Sequence, residues 1–412
     1  MGRAIGGLAA LLMLAACARP SPTAPPTQPP VVGAPAPTAT PAPATAPSPT
    51  TPPPAPATQA PAATRSVPGA PVSGTAPPPT TAATATAALA ATRPSSGATP
   101  VQPVPSPTAA IAVKLQEYPV PAGSRPHDVA PAADGGVWYT AQGSGELGRL
   151  DPTTGRVKTI KLGGGSAPHG VIVGPDGAPW ITDGGLNAIV RVEPTTDEVK
   201  RFPLPGRNAN LNTATFDKNG VLWFTGQNGV YGRLDPVQGR VEVWDAPRGP
   251  GAYGISTTPG GEVYFASLAS SYVGRIDLET RKAAPIDPPT RAQGARRLWP
   301  DSRGRVWVSE FIAGQLGRYE PATGAWREWR LPGQNPQPYA IYVDEHDQVW
   351  LSDFGANALV RFDPTVERFE SYPLPSRDGA VRQLLGRPGE VWGAESGADK
   401  LIVVRAAPDA SP

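Results

Sequence analysis

Only three histidines occur in the 412 residues, and two of them, His127 and His169, stand 42 residues apart. Asp183 follows His169 by 14 positions. A neutral imidazole is a competent base near pH 7 and also a metal ligand. A carboxylate nearby can orient it or hold a divalent cation. Together these residue types suit proton abstraction beside a metal or an anion-stabilising group. They are too few for a closed zinc site. Each histidine could equally be a polar cap over a channel. The third, His346, sits in the turn Asp344-Glu345-His346-Asp347, where solvent exposure is expected.

The elements that position these residues are legible as a repeat. One aromatic per unit recurs at Trp138, Trp180, Trp223, Tyr264, Trp307, Trp350 and Trp392, with spacings of 42, 43, 41, 43, 43 and 42. Each unit has a small-residue run, a tight turn such as Asp176-Gly177, and an aromatic strand such as Trp223-Phe224-Thr225. A strand ending in Arg follows (Arg149, Arg191, Arg233, Arg275, Arg318, Arg361, Arg405), then a further strand such as 199–204. Alternating apolar residues between Gly, Asp, Asn and Pro turns mean antiparallel strands. Four strands per repeat, seven times over, predict an all-β, seven-bladed β-propeller. The seventh unit lacks its fourth strand. Leu115-Gln116-Glu117-Tyr118-Pro119 matches the fourth-strand segment Phe369-Glu370-Ser371-Tyr372-Pro373, so the N-terminal strand is expected to close the last blade beside 401–404. The aromatic series predicts packing between blades, and the Arg series one blade-to-blade contact per unit.

Residues that differ between blades at one fixed position are the functional candidates. Eleven residues before each aromatic stand His127, His169, Asn212, Tyr253, Arg296, Tyr339 and Val381. Three residues after it stand Ala141, Asp183, Gly226, Ser267, Glu310, Asp353 and Glu395. Both sets belong at the same end of the axis. They predict a polar collar at the channel mouth that binds a small molecule or cyclic peptide, or else a solvated rim. Arg296, Arg297 and Arg382 either favour an anionic ligand or balance Glu310, Asp353 and Glu395.

Composition separates this body from the front of the chain. Of 56 prolines, 27 precede residue 110, and no acid or aromatic precedes Glu117 and Tyr118. Residues 18–112, rich in Pro, Ala and Thr, are expected to form a disordered, extended stalk that cannot bury a core. Residues 1–17 read as a signal peptide, too short to span a bilayer. They end in Leu14-Ala15-Ala16-Cys17, which resembles a bacterial lipobox, with Cys17 the lipidation site and the chain's only cysteine. The propeller is assigned to 113–405 and a tail to 406–412. With four arginines before residue 110, the body holds 32 basic and 34 acidic residues, a net −2 that excludes a phosphate-tracking nucleic-acid binder. A monomer is expected, in the cell envelope and extracytoplasmic, touching the membrane through the lipid alone.

The body resembles the streptogramin B lyases, the virginiamycin B lyase family, throughout 113–405. The likeness rests on Pro168-His169-Gly170, Trp223-Phe224-Thr225, Gly-Arg-hydrophobic strands and Phe-Pro-Leu-Pro segments. It implies opening of a cyclic depsipeptide by elimination at its ester, with Mg²⁺. It also implies His127 on the substrate side, His169 as general base and Asp183 as a metal carboxylate. Ala167 stands where that family has a metal-binding Glu, and Asp183 is one methylene shorter than the family's second acid. A ligand-binding or sensor propeller without catalysis is one alternative. A lactone hydrolase of the wider propeller group is another. For the anchor, Cys17→Ser is expected to move the protein from the membrane pellet to the soluble fraction of expressing bacteria. Retention in the pellet would sink the lipid assignment.

Overall fold

The structure, a computed structural model, describes residues 113–406. The expected signal peptide, its Cys17, the expected stalk at 18–112 and residues 407–412 of the expected tail lie outside the described residues. Twenty-eight strands form seven four-stranded sheets, each antiparallel throughout. The expected seven-bladed propeller is the observed fold.

Blade 1 shows how the sequence builds each unit. The chain runs through β2 (Pro126–Pro131), β3 (Val137–Ala141), β4 (Glu146–Leu150) and β5 (Val157–Lys161). β3 is buried along its whole length, whereas β5 buries chiefly Ile160. That gradient places β2 innermost and β5 at the rim. Inner strands of successive blades pack side by side around the axis, and β2 also meets the inner strand of blade 7, which closes the ring. The cores lie between blades: Trp138, Leu147 and Ile160 of blade 1 pack with Val171, Ile181 and Val190 of blade 2.

The aromatic series packs as expected and also pins a turn. The indole N–H of Trp180, Trp223, Trp307 and Trp350 donates to Asp176, Asp217, Asp301 and Asp344 respectively, at 2.8–3.0 Å. Those turns lie at the end of the ring away from the strand starts. The Arg series departs from expectation. Arg149 sits directly across the β3–β4 ladder from Trp138, its guanidinium 5.1 Å from the ring. Trp180/Arg191, Trp223/Arg233 and Trp307/Arg318 repeat the pairing. These arginines therefore cover the aromatic of their own blade instead of bridging to the next, because antiparallel register sets the two opposite each other. In blade 7, Trp392 faces Val403, and Arg405 instead opposes Glu390 and donates to its Oε1 at 2.7 Å.

Closure follows the predicted route. β1 (Val113–Pro119) pairs antiparallel with Lys400–Ala406, with Glu117 opposite Ile402 and Tyr118 opposite Leu401. The Tyr118 ring stacks on Trp392 at 5.5 Å. Lys400 donates to Glu117 Oε2 at 2.5 Å, and the Ser376 N–H donates to Glu117 Oε1 at 2.8 Å. Register places Val113 beside Ala406, at the end where the tryptophan-pinned turns lie.

A second tie runs from blade to blade. Two residues after the aromatic stand Thr140, Thr182, Thr225, Ala266, Ser309, Ser352 and Ala394. Each hydroxyl in this series donates to the inner-strand carbonyl of the next blade: Thr140 to His169, Thr182 to Asn212, Thr225 to Tyr253, Ser309 to Tyr339 and Ser352 to Val381. It also accepts the inner N–H of its own blade, as Thr140 does from Asp128 at 3.0 Å. Removing one such hydroxyl strands a buried donor and a buried acceptor. Thr140→Val is expected to cost about 1–3 kcal/mol in denaturant-unfolding free energy. An unchanged midpoint and slope would refute the clasp.

Candidate functional site

Every inner strand has a register shift near its start, as between Pro126 and Val129 or between Pro168 and Gly170. Such a bulge sets two residues against one on the partner strand and re-aims side chains. It brings both the residue 11 before the aromatic and its successor to the mouth. The successors are Asp128, Gly170, Thr213, Gly254, Arg297, Ala340 and Arg382. The glycines are required by close approach. A Cβ on Gly170 would lie 2.7 Å from the Asn212 carbonyl oxygen, and one on Gly254 would lie 2.7 Å from Arg297 Cα.

The structure brings His127, His169, Asn212, Tyr253, Arg296 and Tyr339 into one connected collar. The His127 and His169 rings lie 3.7 Å apart, tilted by 44°. His127 Nδ1 bonds Asp128 Oδ1 at 2.8 Å, and Arg297 Nη2 reaches the same oxygen from blade 5 at 2.9 Å. Arg297 Nη1 also donates to Thr213 Oγ1 at 3.2 Å. The Asn212 amide nitrogen lies 3.1 Å from His169 Nε2, and His169 Nδ1 is buried without a partner among the described residues. Tyr253 and Tyr339 share a hydroxyl contact of 2.6 Å. Arg296 donates to the Tyr253 hydroxyl at 2.9 Å, and Arg382 Nη1 lies 3.4 Å from that of Tyr339. Val381, the seventh member, is apolar and adds packing only.

Burial dominates the electrostatics. It holds the His127 imidazole well below its ordinary range, helped by the Arg382, Arg297 and Arg296 charges. His169 is lowered well below that range by burial, then by His127, with Asp128 pulling the other way. Both imidazoles are therefore neutral. Burial raises the Asp128 carboxyl against the opposing pull of Arg297. It also raises the Tyr253 phenol. For Tyr339, burial alone would raise the phenol, but Arg296, Arg382 and Arg297 outweigh it and bring it down.

The acids three residues after the aromatic share this end of the ring, as expected, but Asp183 does not join the collar. Its Oδ1 accepts the N–H groups of Ala167, Gly185 and Leu186, and its Oδ2 the Ser166 hydroxyl. Asp353 likewise accepts from Gln337 and Gly355. These carboxylates hold the mouth loops, which is where sequence position alone misdirects. Mg²⁺ wants oxygen ligands in near-octahedral array. Asp183 is committed to backbone, Ala167 offers no carboxylate, and the cluster that remains is two imidazoles with Asp128, which already serves Arg297. These residues do not fit Mg²⁺. His346 is exposed, as read from its turn. Asp128 was missed, although the rule of variation between blades finds it one residue along. Beneath the collar a channel cavity of 510 Å³ runs from Asp128, Thr213 and Arg297 to Lys218, Trp299 and Leu385.

Glu395 and Glu310, from the same ring, are fully buried, and neither oxygen of Glu395 has a partner among the described residues. Burial, then the Glu117 charge, pushes Glu395 up to about 8 from the usual 4.5. Burial, then Glu328, does the same to Glu310. Between those values the folded state binds more protons than the unfolded one, so stability falls as pH rises. Unfolding temperature is expected to decline from about pH 5 to about pH 9, and Glu310→Gln with Glu395→Gln to flatten the decline. A decline of unchanged slope in the double variant would refute the assignment.

No curated protein sequence matches the chain. Among solved structures it is similar to a streptogramin B lyase, at 25% identity and TM-score 0.66, covering 72% of this chain and 98% of that one. It is also similar in fold to virginiamycin B lyase from Staphylococcus aureus, at 22% identity and TM-score 0.67, covering 72% of this chain and 100% of that one. A catalytically inactive form of the same enzyme, solved with quinupristin, gives 22% and 0.67 with the same coverage. The model of the virginiamycin B lyase family matches residues 108–293. Over that stretch, which holds the closing strand, the first four blades and both site histidines, the chain is similar to the virginiamycin B lyase family.

Proposed function

We propose that the mouth binds a cyclic ester or depsipeptide and opens it by C–O elimination, with His127 rather than His169 taking the proton. One observation carries this reading: the Asp128 carboxylate sits 2.8 Å from His127 Nδ1. That contact keeps the N–H on Nδ1 and leaves the Nε2 lone pair for a substrate. His169 Nε2, by contrast, is engaged by the Asn212 amide. A depressed pKa keeps His127 unprotonated at neutral pH, and Asp128 then stabilises the imidazolium that forms. In the step, the proton leaves a carbon α to a carbonyl for Nε2. The C–H electron pair becomes the new C=C bond, the C–O bond on the β carbon breaks, and the carboxylate departs with the electron pair of that C–O bond. Negative charge on the carbonyl oxygen during the step is met by the guanidiniums around the collar. His169 packs against His127 and orients it.

Ala167 and the commitment of Asp183 to backbone favour a second reading, a propeller that binds its ligand without turning it over. Incubating the purified chain with quinupristin, with and without Mg²⁺, and following it by chromatography and mass spectrometry separates the readings. A linear product isomeric with the substrate supports elimination. A gain of one water means hydrolysis, as a lactone hydrolase would give, and unchanged substrate means a binder. His127→Ala is expected to lower the rate by about 100-fold or more, and His169→Ala to lower it less. The reverse order would return the base to His169.

A further inference from the structure

The mouth is lopsided. Four residues after the aromatic stand Gln142, Gly184, Gln227, Leu268, Phe311, Phe354 and Ser396, so this position is apolar in blades 4, 5 and 6 alone. Phe354 stacks on Tyr339 at 4.5 Å, and Phe311 meets the same ring edge-on at 6.0 Å. Ile312, beside Phe311, is 65% exposed. An apolar wall thus borders the half of the collar opposite the imidazoles.

Cations line the foot of that wall without matching anions. The Arg296 guanidinium lies 3.5 Å from the Tyr339 ring, 4.5 Å from Tyr253 and 4.8 Å from Phe311. Its Nε is buried with no partner among the described residues, and so is Arg297 Nε. Arg382 donates to Ser396 and approaches the Tyr339 hydroxyl. The one carboxylate in the collar, Asp128, is taken by Arg297 and His127. The acids of the neighbouring ring do not compensate. Glu310 accepts from Gln315, Asp353 accepts backbone N–H groups, and Glu395 has no hydrogen-bond partner among the described residues. A desolvated cation without an anion is costly, and a bound anion removes that cost.

We infer that the mouth takes an amphiphilic anion: a carboxylate or phosphate group seated on Arg296 and Arg382, with an apolar or aromatic body along Leu268, Phe311 and Phe354. Charge-assisted hydrogen bonds supply the first part, and burial of apolar surface the second. Binding of this kind needs no metal. It does not depend on turnover, so it can stand or fall separately from the elimination reading.

Calorimetric titration of the full chain, in low-salt buffer stripped of divalent cations, tests the site with three probes: phenyl phosphate, inorganic phosphate and benzyl alcohol. Phenyl phosphate is expected to bind about tenfold more tightly than phosphate, and benzyl alcohol not measurably. Arg296→Met and Arg382→Met should each weaken phenyl phosphate by about tenfold or more. Phe354→Ala should shrink its advantage over phosphate. Arg303→Met, in an exposed turn at the far end, should leave binding unchanged. If Arg296→Met fails to fold by thermal unfolding, Arg382→Met alone decides. Equal affinity in the arginine variants and the wild type, no binding of either anion, or binding only on addition of Mg²⁺ would overturn the inference.

Discussion

The site depends on a hydroxyl that reaches from one blade to the next. The side chain two residues after the blade aromatic ties the inner carbonyl of the following blade and accepts the inner N–H of its own. Each tie buries one donor and one acceptor in a place water does not reach, so it specifies geometry as much as stability. It acts at the residue whose side chain faces the mouth. Two links are missing, at Ala266 and Ala394, and the carbonyls they leave unclasped belong to Arg296 and His127. Between blades 7 and 1 a different tie appears: the Val129 N–H donates to Gln383 Oε1 at 2.9 Å.

Across the axis, Asp128 and Arg297 join blades 1 and 5. A buried pair of this kind is weak evidence for stability, because desolvation offsets most of the attraction. Its effect here is orientation. It turns the carboxylate so that one oxygen meets both the guanidinium and His127 Nδ1, which sets the tautomer of that imidazole. It also stands between the mouth and the channel beneath it.

The repeat, the blade count and the closing strand could all be read from residue spacing, because aromatic strands and Gly/Asp turns recur with little drift. The collar was legible at the position 11 before the aromatic, where seven blades carry five residue types. Asp128 escaped because strict alternation along a strand would turn it away from His127, and only a bulge brings both to one place. For Asp183, sequence gives the position in the blade but not the backbone N–H groups it caps. The arginine series departed from expectation: recurrence revealed a structural role, while antiparallel register decided that the partner lies within the blade. The apolar residues four after the aromatic were visible as letters. Their meaning needed the neighbouring blades to be known as adjacent.

The pairing of Val113 with Ala406 has a practical consequence. Both ends of the propeller emerge among the tryptophan-pinned turns, at the pole opposite the collar. A purification handle, a surface linkage or a fused domain joined at either end therefore starts from the back of the ring. The collar pole is left to the loops that lead into each inner strand, so an addition at either end does not crowd them.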